Sequence, residues 1–172
     1  MAKVKGMKKL NKVMKEVLAP FGIEKTVLNG EWAYYGDENK LTYSIVEGTL
    51  EDIWFNEFVK ERFGYKVKNT FMITVLHELG HHFTLENVYE NDYVYDFCMK
   101  EKERIEAEMK KAKTKKEAKK IEFQYFNLPD EIMATEWAVN YARENKKELA
   151  EMWEKIKRAL VEFYTKNIDK ED

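Results

Sequence analysis

Three residues in the segment TVLHELGHHF have the types and spacing that chemistry needs: His77, Glu78 and His81. If the segment is helical, residues four apart project from the same face. Two imidazoles so placed can share one tetrahedral zinc ion, with Zn–N near ~2.0–2.1 Å. Glu78 sits about 100° further round the helix than His77. There it is beside the ion and free to take a proton from a water activated at it.

The same helix supplies a check. With Met72 at zero, Val75, Leu76, Leu79 and Phe83 fall within about 60° of it and form the expected core stripe. His77 and His81 fall near ~140° and ~180°, and Glu78 near ~240°. The ligands are therefore expected on the face away from the apolar stripe. Gly80 costs about 1 kcal/mol relative to Ala inside a helix, so its presence predicts another element passing close by. His82, near ~280°, borders the stripe and is expected to pack or to support the site rather than to ligate.

A catalytic zinc site normally has three protein ligands. The chain has only three histidines, all in this segment, so a carboxylate must complete the set. The segment LPDEIMATEWAVNYA offers Glu131 and Glu136. Glu131 lies at the edge of an apolar sector made by Ala134, Trp137, Ala138 and Tyr141. The small residues Ala134, Ala138 and Ala142 beside it permit close helix approach. Glu136 points away from that sector and is expected in solvent. Glu131 is therefore the preferred third ligand, and Asp130 the residue that favours a helix N-terminus through its charge.

HELGHHF followed by Glu131, Ala134, Trp137 and Ala138 resembles the ImmA/IrrE-type metallo-endopeptidases of phages, mobile elements and bacterial stress regulators. More broadly it looks like a gluzincin, a zinc peptidase with two His ligands and one downstream Glu. The resemblance covers about residues 31–46, 70–85 and 129–142. It implies a zincin-like fold, a Zn2+ cofactor and hydrolysis of peptide bonds in a protein substrate such as a phage or mobile-element repressor. It also implies that a substrate strand pairs with a sheet edge, for which Leu41 to Val46 is the candidate. The position four after Glu131, an Asp in similar proteins, is Thr135, which accepts a hydrogen bond without adding charge. Thr135, His82 and Tyr141 are thus expected around the metal or substrate, and Tyr125, Tyr141 and Tyr95 as candidate donors to the transition state. The competing expectation is a zinc-binding regulatory or protein-interaction domain with little proteolysis.

The rest of the chain must position these groups. Its 172 residues, 44% hydrophobic and 36% charged, suit a single globular domain, and the scarcity of Gly (7) and Pro (2) favours helices. The expected fold class is α+β, mostly helical, with a small β-hairpin. Val4, Met7, Leu10, Val13, Met14, Val17 and Leu18 predict a helix over 3–19, ended by Pro20 and Gly22. WAYY and LTYSIV, joined by GDENK, predict a hairpin over 31–47. Helices follow over about 50–62, stopped by Gly64, and about 70–84, capped by Asn69 or Thr70. Pro129 opens another, running to about Asn145. Leu149, Met152, Trp153, Ile156, Leu160, Phe163 and Tyr164 mark the last.

Between the two motif helices, residues 86–128 read as a charged helical insertion. Lys110, Lys111, Lys113, Lys115, Lys116, Lys119 and Lys120 form a basic run, but Glu101 to Glu108 can pair with it. With a net charge of −2, a solvated helical hairpin is expected there and nucleic acid is not. Cys98 is alone, which excludes an internal disulfide and predicts a small buried residue. No apolar run approaches the ~18 residues of a membrane span, and the basic N-terminus reads as an amphipathic helix, so a cytoplasmic location is expected.

Overall fold

The computed structural model describes residues 6–29, 33–36, 39–89 and 92–168. It is mostly helical with a small sheet, the α+β class expected. The chain divides into two compact units, residues 1–45 with 142–172, and residues 46–141.

In the first unit, α1 (Met7–Leu18) buries Leu10, Met14, Val17 and Leu18, the helical stripe legible in the sequence; Val4 lies outside the described residues. A 3-10 turn, Ala19–Phe21, carries Pro20 and ends at Gly22, whose φ of 85° suits glycine. Three strands follow, β1 (Lys25–Asn29), β2 (Tyr34–Gly36) and β3 (Lys40–Ser44), in the order β1-β3-β2. β2 and β3 pair antiparallel, with Tyr35 opposite Leu41, as the expected hairpin. β1, not foreseen, pairs parallel with β3, Thr26 opposite Leu41. This corrects the expectation of an edge at Leu41 and Thr42: β3 is the central strand, and both residues are paired on each side, with β1 and with β2. The long helix α7 (Lys146–Ile168) packs on α1 through Met152, Ile156, Ala159, Leu160 and Phe163. Tyr164 is half exposed, and its hydroxyl donates to Ile45 O at 3.1 Å.

The second unit is built from helices. In α2 (Leu50–Phe63), Thr49 and Asp52 form a reciprocal capping box and Gly64, at φ 63°, ends the helix. α3 (Thr70–Tyr89) starts where Asn69 Oδ1 accepts from the Met72 N–H at 3.0 Å. Met72, Val75, Leu76 and Leu79 are buried as expected. Phe83 is not: it is 44% exposed and stacks on Trp137 with centroids 4.8 Å apart. Residues 92–126 form a helical hairpin, α4 (Asp92–Met109) and α5 (Lys115–Phe126), with Thr114 and Glu117 making a second capping box. Cys98 is buried. The hairpin is no detached projection. Phe123 and Phe126 pack on Phe58 of α2, and Lys119 pairs with Glu57. α6 (Pro129–Glu144) carries the second motif. Among the described residues, no helix is long and apolar enough to cross a membrane.

Candidate metal centre

α3 and α6 meet at Gly80. A Cβ there would lie 2.2 Å from Ala134 O and 2.8 Å from Ala134 Cα. Only a residue without a side chain allows α6 so close, which is the reason for the glycine inside α3. The candidate groups lie within one turn of this contact: His77 and His81 on α3, Glu131 and Thr135 on α6.

The three expected ligands converge. His77 Nε2 is 3.0 Å from Glu131 Oε2, His81 Nε2 is 3.4 Å from the same oxygen, and the two Nε2 atoms are 3.1 Å apart. His77, His81 and Glu131 thus form a group that can hold a metal ion. Donor atoms about 2.05 Å from a tetrahedral centre lie about 3.3 Å from one another. The observed edges match that triangle. Glu131 is 3% exposed and His77 8%, so water cannot compensate them and the groups must satisfy one another.

The hydrogen bonds fix which His77 nitrogen carries its proton. The Thr135 hydroxyl donates to Glu131 O at 2.7 Å, spending its single proton. Only lone pairs are left for His77 Nδ1, 3.0 Å away, so Nδ1–H donates and Nε2 keeps its lone pair toward Glu131 and His81. Thr135 therefore orients the His77 ring without a carboxylate. Phe55 of α2 meets the His77 ring edge-on at 5.3 Å and restricts it further.

Electrostatics follow from burial. Desolvation alone would lower the His81 pKa, but the charge of Glu131 and its hydrogen bond outweigh it and raise it. Desolvation alone would raise that of Glu131, yet the two imidazoles beside it, the charge of His81 first, hold it well below the usual carboxylate range. Glu78 is 7% exposed, and its charge acts on both His81 and Tyr125. Tyr125 is pushed well above an ordinary phenol, first by burial and then by the charge of Glu131. Glu122, also on α5, is raised to about 7 by burial and then by the charges of Glu51 and Glu131.

The remaining expected residues separate cleanly. Tyr125 lies at the centre. Tyr141 stacks on Trp137 with centroids 5.3 Å apart, continuing the stack from Phe83. His82 lies against the Phe83 ring and is not one of the converging groups. Glu136 is exposed, as expected. Sequence reasoning missed Lys102. Its ammonium lies 2.7 Å from Glu131 Oε1, also binds Asp130 Oδ2, and sits 5.3 Å over the Tyr125 ring. Asp130 is thus an ion-pair partner as well as a residue of the first helical turn. Nothing marks Lys102 out in a run composed almost wholly of Lys and Glu.

No protein-family model, curated protein or solved structure matches this chain.

Proposed function

We propose that this protein is a zinc-dependent metallopeptidase, with His77, His81 and Glu131 as ligands and Glu78 as general base. The observation that carries the reading is the triangle of two Nε2 atoms and one carboxylate oxygen, with edges of 3.0, 3.1 and 3.4 Å. Two imidazoles and one carboxylate are the donor set of hydrolytic zinc sites, whereas structural sites favour four ligands rich in cysteine. The resemblance of HELGHHF and the Glu131 motif to ImmA/IrrE-type endopeptidases supports a protein as the substrate.

When bound, zinc would supply Lewis acidity, polarising the scissile carbonyl and making water a usable nucleophile near neutral pH. The chain's own residues do the rest. Glu78, next to the first ligand, accepts the water's proton as the nucleophile attacks and returns it to the leaving amine. Its burial keeps bulk water from competing for that proton. Thr135 holds His77 in the tautomer that presents Nε2. Tyr125 stays a neutral phenol because burial opposes its ionisation, and its O–H, which hydrogen-bonds Glu131, would turn from that carboxylate to the oxyanion that develops on the carbonyl oxygen.

The test is Glu78→Gln assayed on casein, with metal content measured in parallel. Retained zinc with cleavage lost is the expected outcome. Undiminished cleavage removes Glu78 from the mechanism. Zinc bound by a wild-type protein that cleaves nothing identifies a regulatory zinc domain instead.

A further inference from the structure

The two oxygens of Glu131 have different partners. Oε2 faces both imidazoles, while Oε1 accepts a hydrogen bond from the Lys102 ammonium at 2.7 Å. Lys102 is held in turn by Asp130 on the same side and by the Tyr125 ring face. Lys102, Tyr125, Asp130 and Glu131 lie on α4, α5 and the first turn of α6.

A carboxylate beside a divalent ion binds through one oxygen or through both, and what its second oxygen touches decides between them. We propose that Lys102 is a positioning residue that confines Glu131 to single-oxygen ligation, making the α4–α5 hairpin a working part of the metal centre. This rests on the zinc reading above. Two effects act together. The ammonium occupies the lone-pair direction of Oε1 that chelation would need. It also repels a divalent ion, so the two cations stay on opposite oxygens of one carboxylate. The protein then contributes three donor atoms rather than four, which keeps a position for water and substrate.

Cobalt(II)-substituted full-length protein reads coordination number from its visible absorption. The wild type is expected to show the intense bands of a four-coordinate site. Lys102→Met is expected to lose much of that intensity as Oε1 joins the ion. Lys119→Met, on the same hairpin but paired with Glu57, is expected to keep the wild-type spectrum. Identical spectra for wild type and Lys102→Met overturn the proposal. A change of equal size in Lys119→Met overturns it too, since general loosening of the hairpin would then suffice. The infrared splitting of the Glu131 carboxylate, taken as the wild-type minus Glu131→Gln difference, needs no change at Lys102. The wide splitting of single-oxygen ligation is expected, and the narrow splitting of chelation overturns the proposal even if Lys102→Met does not fold. His77→Ala separates the two failures. Cobalt bound as well by this variant, or not at all by the wild type, sinks the zinc reading and this inference with it. Cobalt bound only through the triad, with Lys102 indifferent, sinks this inference alone.

Discussion

The two compact units handle charge in opposite ways. In the unit of α1, the sheet and α7, the buried polar residues among the described ones are the uncharged Thr26 and Thr42, set among Leu10, Met14, Leu41 and Ile156, while Lys9, Lys166 and Glu162 pair at the surface. In the helical unit, carboxylates and an imidazole go inside. Glu131, Glu78, His77 and Thr135 are all under 9% exposed. Burying charge costs far more than a surface ion pair returns. An arrangement of that kind persists where its groups compensate one another, and it concentrates where a protein does chemistry. The contrast points to the same unit as the candidate metal centre without reference to any motif.

Mutations can break or sharpen that contrast. The largest effect is expected from Glu78→Gln, which should slow peptide cleavage by about 10²–10⁴-fold, the usual worth of a positioned general base, as read from kcat with zinc content unchanged. Next is the pH dependence of metal binding. A raised His81 pKa means that protons compete with the ion from above the ordinary imidazole value of about 6.5. Zinc affinity from chelator competition should therefore fall as pH drops from 8 to 6, by up to about tenfold per unit for each proton displaced.

Gly80→Ala should destabilise by about 3 kcal/mol in urea denaturation, since the new methyl meets α6 backbone that cannot rotate aside. At an uncrowded helix position the same change gains about 1 kcal/mol, so a neutral result would dissolve the α3–α6 contact. Glu122→Gln should act only at higher pH. The folded-state pKa of Glu122, about 7, exceeds the ordinary 4.5. Below 4.5 the group is protonated in both states and nothing is gained. Above 7 the native protein carries the full cost of a half-buried charge, so the variant should be more stable by about 1–2 kcal/mol at pH 8, allowing for partial exposure. Smallest of all, Lys9→Ala in the other unit should leave Tm unchanged, because its partner Glu162 is a surface residue that also pairs with Lys166.

How much of this the sequence disclosed depends on the range of the interactions involved. His77 and His81 were legible because four residues make nearly one helical turn, and Glu131 because the alanines beside it advertise a close approach. Gly80 predicted its neighbour correctly. Phe83 was misplaced because periodicity assigns a face but not where that face stops being covered. β1 escaped notice because KTVLN is short and its parallel partner is distant in sequence, and its pairing is what turns β3 from an edge into a centre. Lys102 was invisible for a related reason. In a segment where most residues are Lys or Glu, only the ion pairs with Asp130 and Glu131 of α6 tell this cation from the rest.

Ala134, the residue that touches Gly80, lies between Glu131 and Thr135 on a single rigid rod. The acid that completes the triangle, the pivot and the hydroxyl that sets the imidazole tautomer therefore move as one body. Sliding or twisting α6 cannot loosen one of these without loosening the others. A displacement of α6 therefore disturbs the carboxylate, the close contact and the imidazole's partner together.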